Sequence, residues 1–388
     1  MKARGASRVV LLMAVAVAAL VPSLQSAYKG HGNDRDVQAL LEVHPGLRGT
    51  AADSCETCHR SGTVPGPAHA PAPRHVSHCD YCHAVTDFGK KPAGPTLNAY
   101  GLAYRAAGRG AQAIKALDGQ DPDSDGVPSG TELRQGTNPG DAASHPGLPL
   151  APHRAFTLQE IRSLSPVVSA RIFLNSEKSR GGDTYHHYRG NRLSQVLDAV
   201  GLAPGAQSVD VIAIDGYETT LTLDELRRSW PQPRVAGGLD RSNLGECGWV
   251  SYGPGPEGGA AGLPAAPVLL AFEENGVMLE PARLDPASGR ITGKGSLRVV
   301  VPQFEPGPPD LPLTADAACA ARVAPEHRYN AAYDHNAGRS VGAVAALRVN
   351  PLPRGTRDVN WRALSGGGER VVVFGALQDR VRGRAPAK

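Results

Sequence analysis

The sequence predicts a multidomain chain. A small N-terminal domain, mostly α or irregular, precedes a larger α+β domain with mostly antiparallel strands. Three observations carry this. At 388 residues the chain is long for a single hydrophobic core. With 46 Gly and 33 Pro it is rich in loops and poor in long helices. Its patterning also changes near residue 154. Large apolar residues are sparse before that point, and short β-branched runs recur between Gly and Pro after it.

Residues 1–27 read as a signal peptide. Lys2, Arg4 and Arg8 precede the apolar run from Val9 to Leu20, a charged segment followed by a hydrophobic one of secretory length. That run is short for a bilayer span. Small residues around Ser23 to Ala27 offer a cleavage site without a clean Ala-x-Ala, and an uncleaved membrane anchor is the alternative. The folded part is expected in the periplasm. Loss of the leader removes three positive charges and no acidic residue, leaving a nearly neutral protein. Such a balance gives no support for nucleic-acid binding.

Residues 28–118 hold two copies of Cys-x-x-Cys-His, Cys55–His59 and Cys79–His83. This is the attachment pattern of c-type haem. Two thiols one helical turn apart, Cys55 with Cys58 and Cys79 with Cys82, each add to a haem vinyl group. The adjacent His59 or His83 then lies under the ring and ligates the iron. A zinc or redox Cys-x-x-Cys would not need a histidine directly after both pairs. Two haem c groups are therefore expected, and the porphyrins would supply much of the core that the sparse side chains cannot.

Counting narrows the second axial ligand. The chain has three methionines, and Met1 and Met13 lie in the leader, so only Met278 could serve one iron. Histidine is abundant nearby, at His31, His44, His69, His75 and His78. Bis-histidine ligation is the expectation, with His75, then His44, then His78 as distal ligands. His78 directly precedes Cys79 and would serve the other haem more easily than its own. Ligation without methionine implies comparatively low potentials. A helix is expected next, with Leu97, Tyr100 and Tyr104 on one face and Thr96 as its N-cap. The remaining cysteines, Cys247 and Cys319, could pair as a disulfide in an oxidising compartment or stay apart.

Residues 119–147 form a calcium-type loop and linker. The run Asp121 to Glu132 follows the twelve-residue calcium loop position by position. Asp121, Asp123 and Asp125 fill the first three ligand positions, and Gly126 allows the sharp turn. Val127 would offer its carbonyl, Ser129 would act through water, and Glu132 would be bidentate. An acidic turn without metal is the alternative. No pair of long flanking helices is evident, so a structural Ca2+ clamp is expected rather than a sensor. The Pro146–Pro152 stretch reads as a linker.

Residues 148–388 form the second domain. Strands are expected at Arg171–Leu174, Val209–Ile214, Val268–Phe272, Leu297–Val301, Val344–Val349 and Val371–Phe374. Thr157-x-x-Glu160 and Thr222-x-x-Glu225 are capping boxes. Leu193, Val196, Leu197 and Val200 form a helical face that stops at Gly201. His186, His187 and His335 read as polar loop residues. No phosphate loop, Gly-x-Ser-x-Gly or His-Glu-x-x-His motif is present.

The order Arg189-Gly190-Asn191-Arg192-Leu193, Asp215-Gly216-Tyr217, Leu269–Gly276 and Gly295–Pro302 resembles the molybdopterin-binding domain of the sulfite oxidase family, over about residues 165–305. That resemblance implies a molybdenum-ligating cysteine ahead of the Arg-Gly-x-x-Leu helix. Arg171–His187 contains none, and Cys247 lies beyond it. The scaffold is therefore expected without molybdopterin, as a docking surface for a redox partner. Taken whole, the chain is similar to diheme cytochromes of exported bacterial respiratory systems. Some of these are named for a Gly-Glu-Gly-Pro motif, to which Gly253-Pro254-Gly255-Pro256 comes near. The resemblance implies an electron-transfer protein working with partners of a respiratory chain. The alternatives are a molybdopterin-dependent oxidoreductase whose haems pass on the electrons, and a diheme peroxidase. The two motifs lie too close in sequence for the two-domain arrangement of such peroxidases.

Overall fold

Helix α1 (Arg35–Val43) opens the part of the chain that the computed structural model describes, and it turns Ala39 and Leu40 inward. The described residues are 35–48, 52–53, 57–59, 63–64, 74–75, 97–174, 184–230, 237–239, 249–251, 264–285, 290–302 and 336–378. A 3-10 turn, Pro45–Leu47, follows α1. Two-residue strands β1 (Thr63–Val64) and β2 (Arg74–His75) pair antiparallel. Three short helices complete this region: α2 (Ala99–Ala106), α3 (Ala111–Leu117) and α4 (Ser129–Gln135). Leu40, Leu47, Tyr100, Tyr104, Ile114, Leu117 and Leu133 form one buried cluster, with Cys58 packed against it. Helix α2 buries the expected tyrosines, but Asn98 is its N-cap, not Thr96. The Asn98 side chain accepts from the Gly101 amide at 2.8 Å.

The second region opens with β3 (His153–Thr157), α5 (Leu158–Ser163), β4 (Val167–Leu174) and β5 (Thr184–Arg192). Next come α6 (Leu193–Val200), β6 (Ser208–Ala213), β7 (Glu218–Thr222) and α7 (Leu223–Arg227). Short strands follow: β8 (Ser229–Trp230), β9 (Gly237–Leu239), β10 (Trp249–Ser251) and β11 (Ala266–Pro267). Then come β12 (Leu269–Glu274), β13 (Val277–Met278), β14 (Arg283–Asp285), β15 (Arg290–Thr292) and β16 (Arg298–Val300). The described chain ends with β17 (Val344–Asn350), α8 (Trp361–Ser365) and β18 (Arg370–Gly375).

Two five-stranded sheets organise these elements. One has the order β3-β18-β17-β6-β7, and the other runs β13-β12-β5-β4 with β16 also on β12. Only β17 with β18 is parallel among the paired strands described. The chain is thus α+β, with helices and mostly antiparallel sheets. Period-2 alternation sorts the side chains. Val209, Val211, Leu347, Val349, Val371 and Val373 join the main core with α6, while Ile212, Ala346, Val372 and Phe374 face α8 on the other side. Among the described residues no helix is long and apolar enough to cross a membrane.

Each expected strand in the second region is present. The proline-rich stretch read as a linker is tied down: the Arg357 amide donates to the Pro149 carbonyl at 3.0 Å and the Ala151 amide donates to the Arg357 carbonyl at 2.8 Å, and β3 follows directly. One reading needs correction. His186 and His187 lie in strand β5, not a loop.

Both capping boxes form. At α7, Thr222 Oγ1 accepts from the Glu225 amide at 3.2 Å, and the Glu225 carboxylate accepts from the Thr222 amide at 2.8 Å and from Arg339 at 2.7 Å. Thr222→Ala frees an amide at the helix start. The expected cost is about 1 kcal/mol, read as a lower urea midpoint at unchanged slope.

Candidate haem-attachment turn and calcium site

The end of the first Cys-x-x-Cys-His motif is held from the side by α2. Asn98 Nδ2 donates to the carbonyls of Thr57 and His59, each at 3.1 Å, and the Asn98 amide donates to the Cys58 carbonyl at 3.0 Å. Thr57 is buried and its hydroxyl donates to the Ala52 carbonyl at 2.7 Å. His59 and Leu97 form a bridge. Gly101 makes this approach possible, because a Cβ there would overlap the Cys58 carbonyl. Sequence reasoning found the motif but missed this clamp. An Asn-x-x-Gly at the start of the following helix was the available signal.

The residues around this turn suit an apolar prosthetic group. Cys58 is half-buried against the cluster of Tyr100, Tyr104 and Leu40. The Tyr100 hydroxyl is buried and has no partner within the described protein. Burial pushes its pKa well above the phenolic range, and the neighbouring Cys58 and Asp118 add to this. Cys55, Cys79, Cys82, His83 and His78 lie outside the described residues, as do Cys247 and Cys319.

Of the distal-ligand candidates, His75 belongs to β2, which runs close to the edge strand β7. His44 directs its Nε2 at Asp118 Oδ1, 2.8 Å away, in a part-buried pair. To ligate an iron through that atom, His44 would have to give up this bond. Met278 is exposed on the β12–β13 hairpin.

The acidic loop lies between α3 and α4, so short flanking helices exist although the sequence announces none. Asp121 organises the backbone by accepting from the amides of Ser124 at 2.8 Å, Asp125 at 3.2 Å and Gly126 at 2.8 Å. Gly126 takes φ +93°, which only glycine adopts readily. Asp121, Asp123 and Asp125 each bring a carboxylate oxygen within 4.8 Å of the others. Glu132, at the twelfth position, is fully buried at the start of α4. Both of its carboxylate oxygens, Asp123 Oδ2 and Asp125 Oδ2 are buried without a hydrogen-bond partner in the described protein. Ser129 is buried too, and its hydroxyl donates to the Gln120 carbonyl at 3.0 Å.

The electrostatics follow from this crowding. Burial, then the charges of Asp123 and Asp125, push the Glu132 carboxyl up to about 8. Burial, the hydrogen bond with Asp121 and the charge of Asp125 raise Asp123 to about 6. Asp121, fixed first by the Gly126 amide, is lowered. An all-oxygen set with unpaired buried carboxylates matches the donors of a hard divalent cation.

Between residues 165 and 305 there is no cysteine among the described residues. A polar cluster there centres on buried Glu274, which pairs with His186 Nδ1 at 2.9 Å and Lys294 at 2.8 Å, while the Tyr188 hydroxyl lies 3.3 Å away. Burial works to raise the Glu274 carboxyl, but His186, Lys294 and Arg298 outweigh it and hold the group at about 2. These ion pairs account for the buried charge as structure. Compared with known proteins, the chain matches no family model, no curated protein and no solved structure.

Proposed function

We propose that this protein is an exported, periplasmic diheme c-type cytochrome that passes electrons between partners of a respiratory chain. The observation that carries the reading is the pair of Cys-x-x-Cys-His motifs within one short segment. Cys55 and Cys58 would hold one haem over His59, and Cys79 and Cys82 the other over His83. When bound, the haems supply one-electron Fe(III)/Fe(II) couples. The chain's own residues hold, orient and shield them. Asn98 and Gly101 fix the first attachment turn, and the Tyr100–Tyr104–Leu40 cluster keeps water from its inner side. His75, His44 and His78 are the distal candidates, and with no methionine beside them low potentials are expected. Asp121, Asp123, Asp125, the Val127 carbonyl, Glu132 and, through water, Ser129 would hold a calcium ion, which would serve as a structural clamp. The C-terminal domain, a scaffold like that of the sulfite oxidase family, works as a docking surface rather than a catalyst.

The test is a cofactor count on protein matured in a haem-attaching periplasm. Two haems by pyridine haemochrome, about one calcium and no molybdenum by elemental analysis are expected. Haem-free protein would overturn the reading. Stoichiometric molybdenum would replace it with a molybdopterin-dependent oxidoreductase, with Cys247 the next residue to mutate.

A further inference from the structure

The calcium loop and the first attachment turn meet at one side chain. We propose that Asn98 is a positioning residue through which the occupied calcium loop sets the geometry of the first haem motif; this rests on the haem and calcium reading above. From the calcium side, the backbone carbonyl of Glu132 accepts from the Thr137 amide at 3.0 Å and from the Thr137 hydroxyl at 3.3 Å. Gly136 turns the chain in the left-handed region between them. The next residue, Asn138, has its Oδ1 3.4 Å from Asn98 Nδ2 and 3.1 Å from the Gly140 amide. Gly140 packs so closely that a methyl there would overlap the Asn98 amide. From the haem side, the same Nδ2 donates to Thr57 and His59, the residues flanking Cys58.

The path is therefore short. Glu132 offers its carboxylate to the cation, and its own carbonyl anchors the turn that carries Asn138 and Gly140. That turn presses on Asn98, and Asn98 holds the carbonyl of the proximal histidine. A second tie runs in parallel, since Gly130 donates to the Asp118 carbonyl at 3.0 Å and the Asp118 carboxylate holds His44. Without the cation, four buried carboxylate oxygens lack partners, so Glu132 and the turn beyond it are the parts free to relax. Asn98 also caps α2 through Oδ1, and that role is separable, because the cap needs only an acceptor whereas the clamp needs a donor.

The separation gives the experiment. The full-length, haem-loaded protein is titrated potentiometrically, with visible spectra, in chelator and again in calcium chloride. Wild type should show a calcium-linked shift in the midpoint of one haem and none in the other. Asn98→Ser keeps the cap acceptor and loses the amide donor. It should retain two haems and calcium binding by calorimetry, yet lose the shift. Gly140→Ala, which displaces Asn98 without altering it, should do the same. Asn98→Gln, which keeps an amide, should recover part of the shift. Two haems and bound calcium with no shift in wild type, or an unchanged shift in Asn98→Ser, would overturn the proposal alone. Protein lacking haem or calcium would overturn the reading beneath it.

Discussion

Replacing Cys55 and Cys58 together by alanine is expected to lower the covalent haem count from two to one, read by pyridine haemochrome and by the mass of the intact chain. The matching Cys79/Cys82 double variant should also carry one haem, and its residual spectrum should be that of the other site. The two variants should differ in stability. Cys58 packs on the cluster that joins α1, α2, α3 and α4. That core is small, with Tyr100, Ile114, Leu117 and Leu133 its most buried members. A haem laid against Cys58 would contribute apolar area comparable with several of these side chains, at about 25 cal/mol per Å2. Its loss should therefore lower the melting temperature of the N-terminal region. The expectation fails if the first-motif variant still carries two thioether-linked haems.

How much of this was legible in the sequence depends on how local each signal is. Thr222 and Glu225, like Thr157 and Glu160, were legible because a capping box is written within four residues. The strands β6, β12, β17 and β18 were legible because short, mainly apolar runs fit strands buried on both faces. Strand β5 was not, since Thr184–Arg192 is polar at most positions and becomes a strand by pairing with β4 from Thr184 to Asn191 and with β12 from Tyr188 to Arg192. Helices α1, α3 and α4 were missed for a related reason. Each has only seven to nine residues and buries two to four of them, too few for a clear period.

For the candidate site, the chemistry was local and its support was not. The Cys-x-x-Cys-His motifs and the acidic loop are contiguous patterns. Asn98 touching Thr57 and His59, His44 touching Asp118, and Asn138 reaching back to Asn98 span 39 to 74 residues. No single window of sequence contains both partners of such a contact. The helix cap misread as Thr96 shows the cost. Thr96 and Asn98 are both good caps, and what selects Asn98 is the distant turn that its amide also holds.

Glu132→Gln should have opposite effects with and without calcium. In the calcium-free protein the Glu132 carboxyl is raised from 4.5 to about 8 and Asp123 from 3.8 to about 6. Over that window the folded state binds more protons than the unfolded state, so calcium-free stability falls as pH rises from about 4 to about 8 and then levels off. A bound cation should reverse the sign. It needs the ionised carboxylates, so binding at pH 6 to 7 releases protons and its affinity rises with pH until Glu132 is ionised at about 8. Calorimetry in two buffers of different ionisation enthalpy reads the protons released, and a pH-independent affinity would refute the assignment. Glutamine keeps the shape and removes the charge. The calcium-free variant should therefore melt higher than wild type at pH 9, because a buried, unpaired carboxylate is gone. In saturating calcium it should melt lower, with affinity weakened on the order of 100-fold by loss of a bidentate ligand. A variant that merely disturbed packing would melt lower in both conditions, so the crossing of the two effects identifies Glu132 as a ligand.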